Sequence, residues 1–285
     1  MMLSLIVIAF AAAPAAALPA PLDWPGLQHV LQISETIYSG CEPANGAAFD
    51  RLAAEGIRTV VSVDAQGPDT AAAEARGMRY VHIPIGYNSL PAAQVAAVKK
   101  VLEECPRPIY FHCHHGVHRG PAMAAIALRL EPGGTSEAAT KVLERAGTSP
   151  DYPALWKAVA ELDPSSVSSA GVTLHSRAPV PPFPEAMAHI DRAWDGVKAC
   201  REAGWKTPAD QPDLVPVREA QTLEDLLARC AAPAELAADV RFEALLAASR
   251  ASAAGVAEAL EAGTDPEGEF AALGLSCKDC HKVYR

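Results

Sequence analysis

The sequence has no surplus of basic residues. Lys and Arg number 24 against 34 Asp and Glu, a formal net charge of −10 over 285 residues. That balance lacks the basic footprint of a nucleic-acid-binding protein, and no nucleic acid is expected as a partner. After residue 20 there is no apolar stretch long enough to cross a bilayer. From Phe183 onward no β-branched run survives, so no strand is expected there. Cysteines are few and odd in number, at seven, which leaves at least one thiol unpaired or otherwise used. Apolar residues, in contrast, make up half of the chain, ample for packed cores. At roughly 100–200 residues per domain, the length predicts two domains.

Residues 1–20, MMLSLIVIAFAAAPAAALPA, carry no charged side chain. An apolar run from Leu3 to Phe10 is followed by small residues, and Ala15-Ala16-Ala17 fits an A-x-A cleavage site. Leu18-Pro19-Ala20 fits more loosely. The pattern predicts a secretory signal peptide and a periplasmic location, although no Lys or Arg precedes the apolar run. A membrane anchor is the other reading, against which Pro14 and the Ala-rich second half speak.

Residues 27–163 alternate between strand-like and helix-like stretches. The runs at 37–40, 58–63, 80–84 and 108–112 read as strands, with helical stretches at 47–55, 71–76, 92–104 and from 121 onward. This order predicts an α/β domain with a mainly parallel sheet covered by helices. Residues 164–182, PSSVSSAGVTLHSRAPVPP, lose all apolar period and predict a flexible linker. In 183–285, Phe183, Met187, Ile190, Trp194 and Val197 recur at spacings of three and four, one face of a helix. Further helices are marked by Leu223, Leu226 and Leu227, by Phe242 to Leu260, and by residues 266–284. Together they predict an all-α four-helix bundle.

The chain ends in Cys277-Lys278-Asp279-Cys280-His281, the C-x-x-C-H spacing of c-type haem attachment. Thiols three residues apart on a helix reach both vinyl groups on one haem edge, and the next residue turns its imidazole to the iron. A redox C-x-x-C belongs after a strand, and a zinc site needs further ligands close by. Residues 183–285 resemble the class II c-type cytochromes, the cytochrome c′ family. The likeness rests on this motif, on the tail CKDCHKVYR, and on FEALLAASRASAAGVAEALEAG before it. The resemblance implies one covalent haem c held by Cys277 and Cys280, with His281 as the iron's axial ligand. It implies electron transfer to a redox partner protein or binding of a diatomic gas, and homodimers are frequent in the family. The opposite iron face is open or capped by Met187, whose alternative is plain core packing; His189 lies off the apolar stripe. Cys200 and Cys230 are either disulfide partners or two buried thiols.

The second motif is His112-Cys113-His114-His115-Gly116-Val117-His118-Arg119, a Cys-x5-Arg set after a strand and before a helix. Five intervening residues curl into a loop whose backbone N–H groups form an anion nest at a helix N-terminus. The same positive end favours the Cys113 thiolate. Gly116 permits the curvature, and Arg119 can grip two phosphate oxygens. Attack on phosphorus gives a cysteinyl-phosphate that water hydrolyses. Residues 27–163 resemble the cysteine-dependent dual-specificity phosphatases through ETIYSGCEPANGAAFDRLAAEGIRTVVSVD, YVHIPIGYNSLP and PIYFHCHHGVHRG. The resemblance implies Cys113 as nucleophile, Arg119 as phosphate clamp, residues His114, His115, Gly116, Val117 and His118 as the cradle, and a phosphorylated substrate.

Two departures stand out. Gly120 occupies the place of the family's Ser or Thr after the Arg. The loop Gly86-Tyr87-Asn88-Ser89-Leu90 has no carboxylate where the family places its general acid. Asp64 and Asp69 are the substitutes, with loop caps as their plainer roles. A catalytically inactive phosphate-binding module is therefore the alternative to a phosphatase. Four histidines crowd the loop, yet neighbouring side chains on a curled loop are expected to diverge, which speaks against a metal ion there.

Overall fold

The computed structural model describes residues 18–284. Most of the expected signal segment, residues 1–17, lies outside the described residues. Twelve elements build the α/β domain: β1 (Ala20–Trp24), β2 (Leu27–Gln32), β3 (Ile37–Gly40), α1 (Gly46–Ala54), β4 (Thr59–Ser62), α2 (Thr70–Glu74), β5 (Arg79–His82), α3 (Ala92–Glu104), β6 (Ile109–His112), α4 (Arg119–Leu130), α5 (Ser136–Ala146) and α6 (Pro153–Glu161). The sheet order is β1-β2-β3-β6-β4-β5. The last four of these are parallel, as the alternation predicts, whereas β1 and β2 form an antiparallel hairpin on the edge. The domain thus starts before residue 27, with a strand that begins at Ala20, inside the expected signal segment.

Strand side chains alternate between two helical layers, as the pleat requires. Val60, Tyr80 and Tyr110 face one side with Phe49 and Leu52 of α1. Val61, Val81 and Phe111 face the other with Val98 of α3 and Met123 of α4. The register pairs Val60 with Tyr80 and Tyr110, and Val61 with Val81 and Phe111, so each row is continuous across the sheet.

The Ser/Pro/Gly-rich segment 164–182 departs from the flexible linker that its composition predicts. It lies along the α/β domain. His82 N–H donates to the His175 carbonyl (2.8 Å), and Ala178 N–H donates to His82 Nδ1 (3.1 Å). Lys99 Nζ donates to the Val167 carbonyl (2.5 Å), and Val167 and Leu174 pack on the core. The physical reason is the open edge of β5, whose backbone donor would otherwise lack a protein partner.

The C-terminal residues form α7 (Pro182–Glu202), α8 (Pro216–Arg229), α9 (Val240–Ala262) and α10 (Glu267–Tyr284). They share one apolar core: Ile190 and Val197 from α7, Leu223 and Leu227 from α8, Phe242 and Val256 from α9, and Leu273 from α10. Trp194 stacks on Phe270 with ring centroids 4.5 Å apart, tying α7 to α10. Asp239 caps α9 by accepting from Arg241 and Phe242 N–H, and Gly263 ends it in the left-handed region. Cys200 and Cys230 are both buried and carry free thiols. No described helix is long and apolar enough to cross a membrane.

Candidate functional site

Cys113 follows β6 directly and Arg119 opens α4, at the carboxyl end of the parallel strands, where α/β sheets present their ligands. The loop between them is held from outside by its carbonyls. Glu42 N–H donates to the His114 carbonyl (3.1 Å), His29 Nδ1 to that of His115 (2.8 Å), and Thr148 Oγ1 to that of Val117 (2.8 Å). Peptide planarity then turns the N–H groups of His115, Gly116 and His118 to the opposite, inner side. Gly116 has φ +74°, and a Cβ there would lie 2.2 Å from the Gly40 carbonyl carbon and 2.3 Å from Cys41 N. Gly120 is also tightly packed, though less so: a Cβ would sit 3.0 Å from Cys113 N. Gly120, which stands where the resemblance expects a hydroxyl, is thus pressed against the backbone of Cys113.

Arg119 is buried, and its guanidinium lies 4.7 Å from the centre of the Tyr87 ring. Its Nη2 donates to Asp64 Oδ2 at 2.7 Å. The same oxygen accepts from His114 N–H (3.2 Å), and Oδ1 accepts from Gln66 N–H (3.0 Å). Asp64 thus takes donors that a phosphate would use. Burial works to raise its pKa, but the Arg119 and Arg192 guanidiniums and these N–H groups outweigh it and hold the carboxyl well below the usual carboxylate range. In the ligand-free loop Asp64 is thus an ion-pair partner of Arg119. Asp69, the other candidate, caps α2 by accepting from Ala72 N–H (3.1 Å).

Sequence patterns did not indicate Glu42, Arg192 or Asp195. Helix α7 reaches across to the loop. Arg192 Nη2 donates to Glu42 Oε2 (2.5 Å), and its Nη1 lies 3.5 Å from Asp64 Oδ1. His114 sits between Glu42 (Nδ1, 3.2 Å) and Asp195 (Nε2, 2.9 Å). Burial opposes its charge, yet these two carboxylates push its pKa up to about 9, while Glu42 and Asp195 are each held down at about 2. The rings of His114 and His115 lie 4.3 Å apart, both against α7. Adjacent loop side chains therefore converge here, contrary to expectation, because the partner helix supplies acids to both.

His112 is buried and pushed down to about 4 by desolvation, and its Nε2 meets the Tyr80 hydroxyl at 2.5 Å. His118 packs edge-on against Tyr87 and Tyr152, beside Arg119.

The terminal motif faces the same region. A cavity of about 370 Å³ lies between α7–α10 and the α/β domain. Cys277, Cys280, His281 and Met187 all line it, among Leu223, Phe242 and Leu246. Tyr87, Asn88, Ser89 and Arg119 form its far wall. His189 is exposed, away from it. An apolar cavity with two thiols, an imidazole and a thioether on its walls suits a flat, largely apolar iron macrocycle.

Residues 36–131 match a family model described as Tc-R-P: Polymorphic toxin system, DSP-PTPase phosphatase. Among solved structures, TpbA of P. aeruginosa is 23% identical, covering 52% of this chain and 98% of its own, with a TM-score of 0.42. A TpbA variant in complex with pTyr is 22% identical over 56% of this chain and 99% of that one, with a TM-score of 0.46. Tk-PTP in its active form is 18% identical over 49% and 99%, with a TM-score of 0.38. No curated protein matches the chain. On the family match to residues 36–131, the α/β domain is a phosphatase-like domain of the DSP-PTPase kind.

Proposed function

We propose that the chain is an exported phosphomonoesterase carrying a haem c domain. The observation that carries the phosphatase reading is the Cys113–Arg119 loop, whose carbonyls are tied outward and whose clamp arginine opens α4. A phosphate dianion displaces Asp64 from Arg119 and from His114 N–H, and Arg119 takes two equatorial oxygens. The Cys113 thiolate attacks phosphorus while the bond to the leaving oxygen breaks. In the ligand-free loop Glu42 and Asp64 are ion-pair partners of Arg192 and Arg119 rather than proton donors, and water supplies the proton to that oxygen. A second water then attacks the cysteinyl-phosphate, the P–S bond breaks, and inorganic phosphate leaves with the thiolate restored. Stabilisation of the equatorial oxygens by Arg119 and the loop N–H groups supplies most of the rate.

In the helical domain, Cys277 and Cys280 would hold the haem through thioether bonds and His281 would coordinate its iron, with Met187 lining the same cavity. When bound, that group supplies one-electron transfer or diatomic gas binding. The uncharged, apolar opening of the chain supports export, which covalent haem attachment generally accompanies.

The ionised Asp64 and the hydroxyl-free Gly120 favour a second reading, in which the loop binds phosphorylated ligands without turning them over. Phosphate release from p-nitrophenyl phosphate separates the two. Turnover by the full-length protein, lost in Cys113→Ser, supports the enzyme. Binding of inorganic phosphate without turnover supports the binding module.

A further inference from the structure

Two features at the meeting of the domains are not used by the phosphatase reading: the imidazole side chains of the adjacent His114 and His115, and the acids Asp191 and Asp195 one turn apart on α7. His114 Nε2 lies 2.9 Å from Asp195 Oδ2. His115 Nε2 lies 3.7 Å from Asp191 Oδ2 and 3.7 Å from Asp195 Oδ2. One donor atom from each of His114, His115 and Asp191 fits within a span of 4.8 Å.

We propose that His114, His115, Asp191 and Asp195 form a divalent transition-metal site that pins α7 of the helical domain to the phosphate loop. Two imidazole nitrogens with two carboxylates suit zinc, or iron or manganese of the same charge. The surroundings support the assignment. Glu42 engages Nδ1 of His114 at 3.2 Å, which fixes the tautomer and aims Nε2 at the acids, as second-shell carboxylates do at metal-bound histidines. Asp195 turns its other oxygen, Oδ1, to Lys198 and leaves Oδ2 to the histidines. All four residues are partly exposed, so an ion has a path in and no side chain must leave a core. Arg192 is the other charge nearby, and it is committed to Glu42 and Asp64. A metal ion here takes the place of the proton between His114 and Asp195, and it joins residues 76 or more positions apart in sequence, through the loop that carries Cys113.

The test is zinc binding by the full-length protein after chelator treatment, read by calorimetry and by metal analysis after dialysis. The wild type is expected to hold one equivalent more than His115→Ala or Asp191→Asn. Glu42→Gln is expected to weaken that equivalent by about 10–100-fold. Far-UV circular dichroism of each variant, matching the wild type, certifies the fold. Since Asp191 lies on α7 and not in the loop, the Asp191→Asn result stands even where a loop variant misfolds. Equal zinc stoichiometry and affinity in wild type and Asp191→Asn would overturn the proposal, as would no bound equivalent in the wild type.

Discussion

Replacing Asp64 by Asn tests the electrostatics at the centre of the phosphate site. Asp64 is only 2% exposed, and it bridges Arg119 at 2.7 Å and Arg192 at 3.5 Å while accepting from two backbone N–H groups. Removing one partner of a buried ion pair costs about 3–5 kcal/mol, because the remaining charge is left uncompensated. Asparagine keeps one carbonyl oxygen for Arg119 or Gln66, so the lower end, about 3 kcal/mol, is expected. With a urea m-value of about 1–3 kcal/mol/M, the unfolding midpoint of the α/β domain falls by about 1–3 M. Tryptophan fluorescence follows it through Trp24 and Trp156, whose environments belong to that domain. The same substitution removes a negative charge that competes with phosphate for Arg119 and His114 N–H. Inorganic phosphate should therefore bind at least about tenfold more tightly, since the repulsion between charges 4 Å apart is worth about 4 kcal/mol near a protein surface, of which a tenfold change needs about 1.4 kcal/mol. An unchanged midpoint together with unchanged phosphate affinity would refute the reasoning.

Three further outcomes follow from the same geometry. Gly116→Ala places a Cβ 2.2 Å from backbone at φ +74°; it should cost at least about 2 kcal/mol and abolish phosphate binding, checked by urea unfolding and calorimetry. With no protonated carboxyl beside the loop, aryl phosphates with acidic leaving groups should be hydrolysed far faster than alkyl phosphates, by a factor on the order of 10²–10⁴, and equal rates would show that a general acid exists. His82 donates from Nε2 to the Asp64 carbonyl and accepts Ala178 N–H at Nδ1, and burial holds its pKa below the ordinary value. The unfolded state therefore protonates first. His82 contributes stability that is complete above about pH 6.5 and is lost as the pH falls through its folded value. Hydrogen exchange at Ala178 should slow on acidification by less than the fall in the intrinsic, base-catalysed rate, and His82→Gln should remove that difference.

How far the sequence carries differs from element to element. Strands β4, β5 and β6 are legible because β-branched and aromatic residues run together, and the phosphate loop is legible because its chemistry demands a fixed spacing. The β1–β2 hairpin is not, because it abuts an apolar, Ala-rich segment whose composition speaks for export rather than for a strand. The linker's Ser, Pro and Gly residues predict freedom, whereas its backbone finds partners in His82 and Lys99, which no local pattern reveals. Glu42–Arg192 and His114–Asp195 join residues 150 and 81 positions apart, so their pairing exists only once both domains have folded. Asp64 was legible as a carboxylate near the loop. Its ionised state was not, since that depends on two guanidiniums arriving from α4 and α7. Met187, by contrast, carries a signal in its apolar stripe, and the cavity it lines also holds Cys277, Cys280 and His281.

The most direct test of the central claim is to trap the covalent intermediate. Full-length protein mixed with p-nitrophenyl phosphate and quenched in acid should yield, by peptide mass spectrometry, a phosphate adduct on Cys113 that is absent from Cys113→Ser. A phosphate adduct on any other residue, or turnover that survives in Cys113→Ser, would contradict the account.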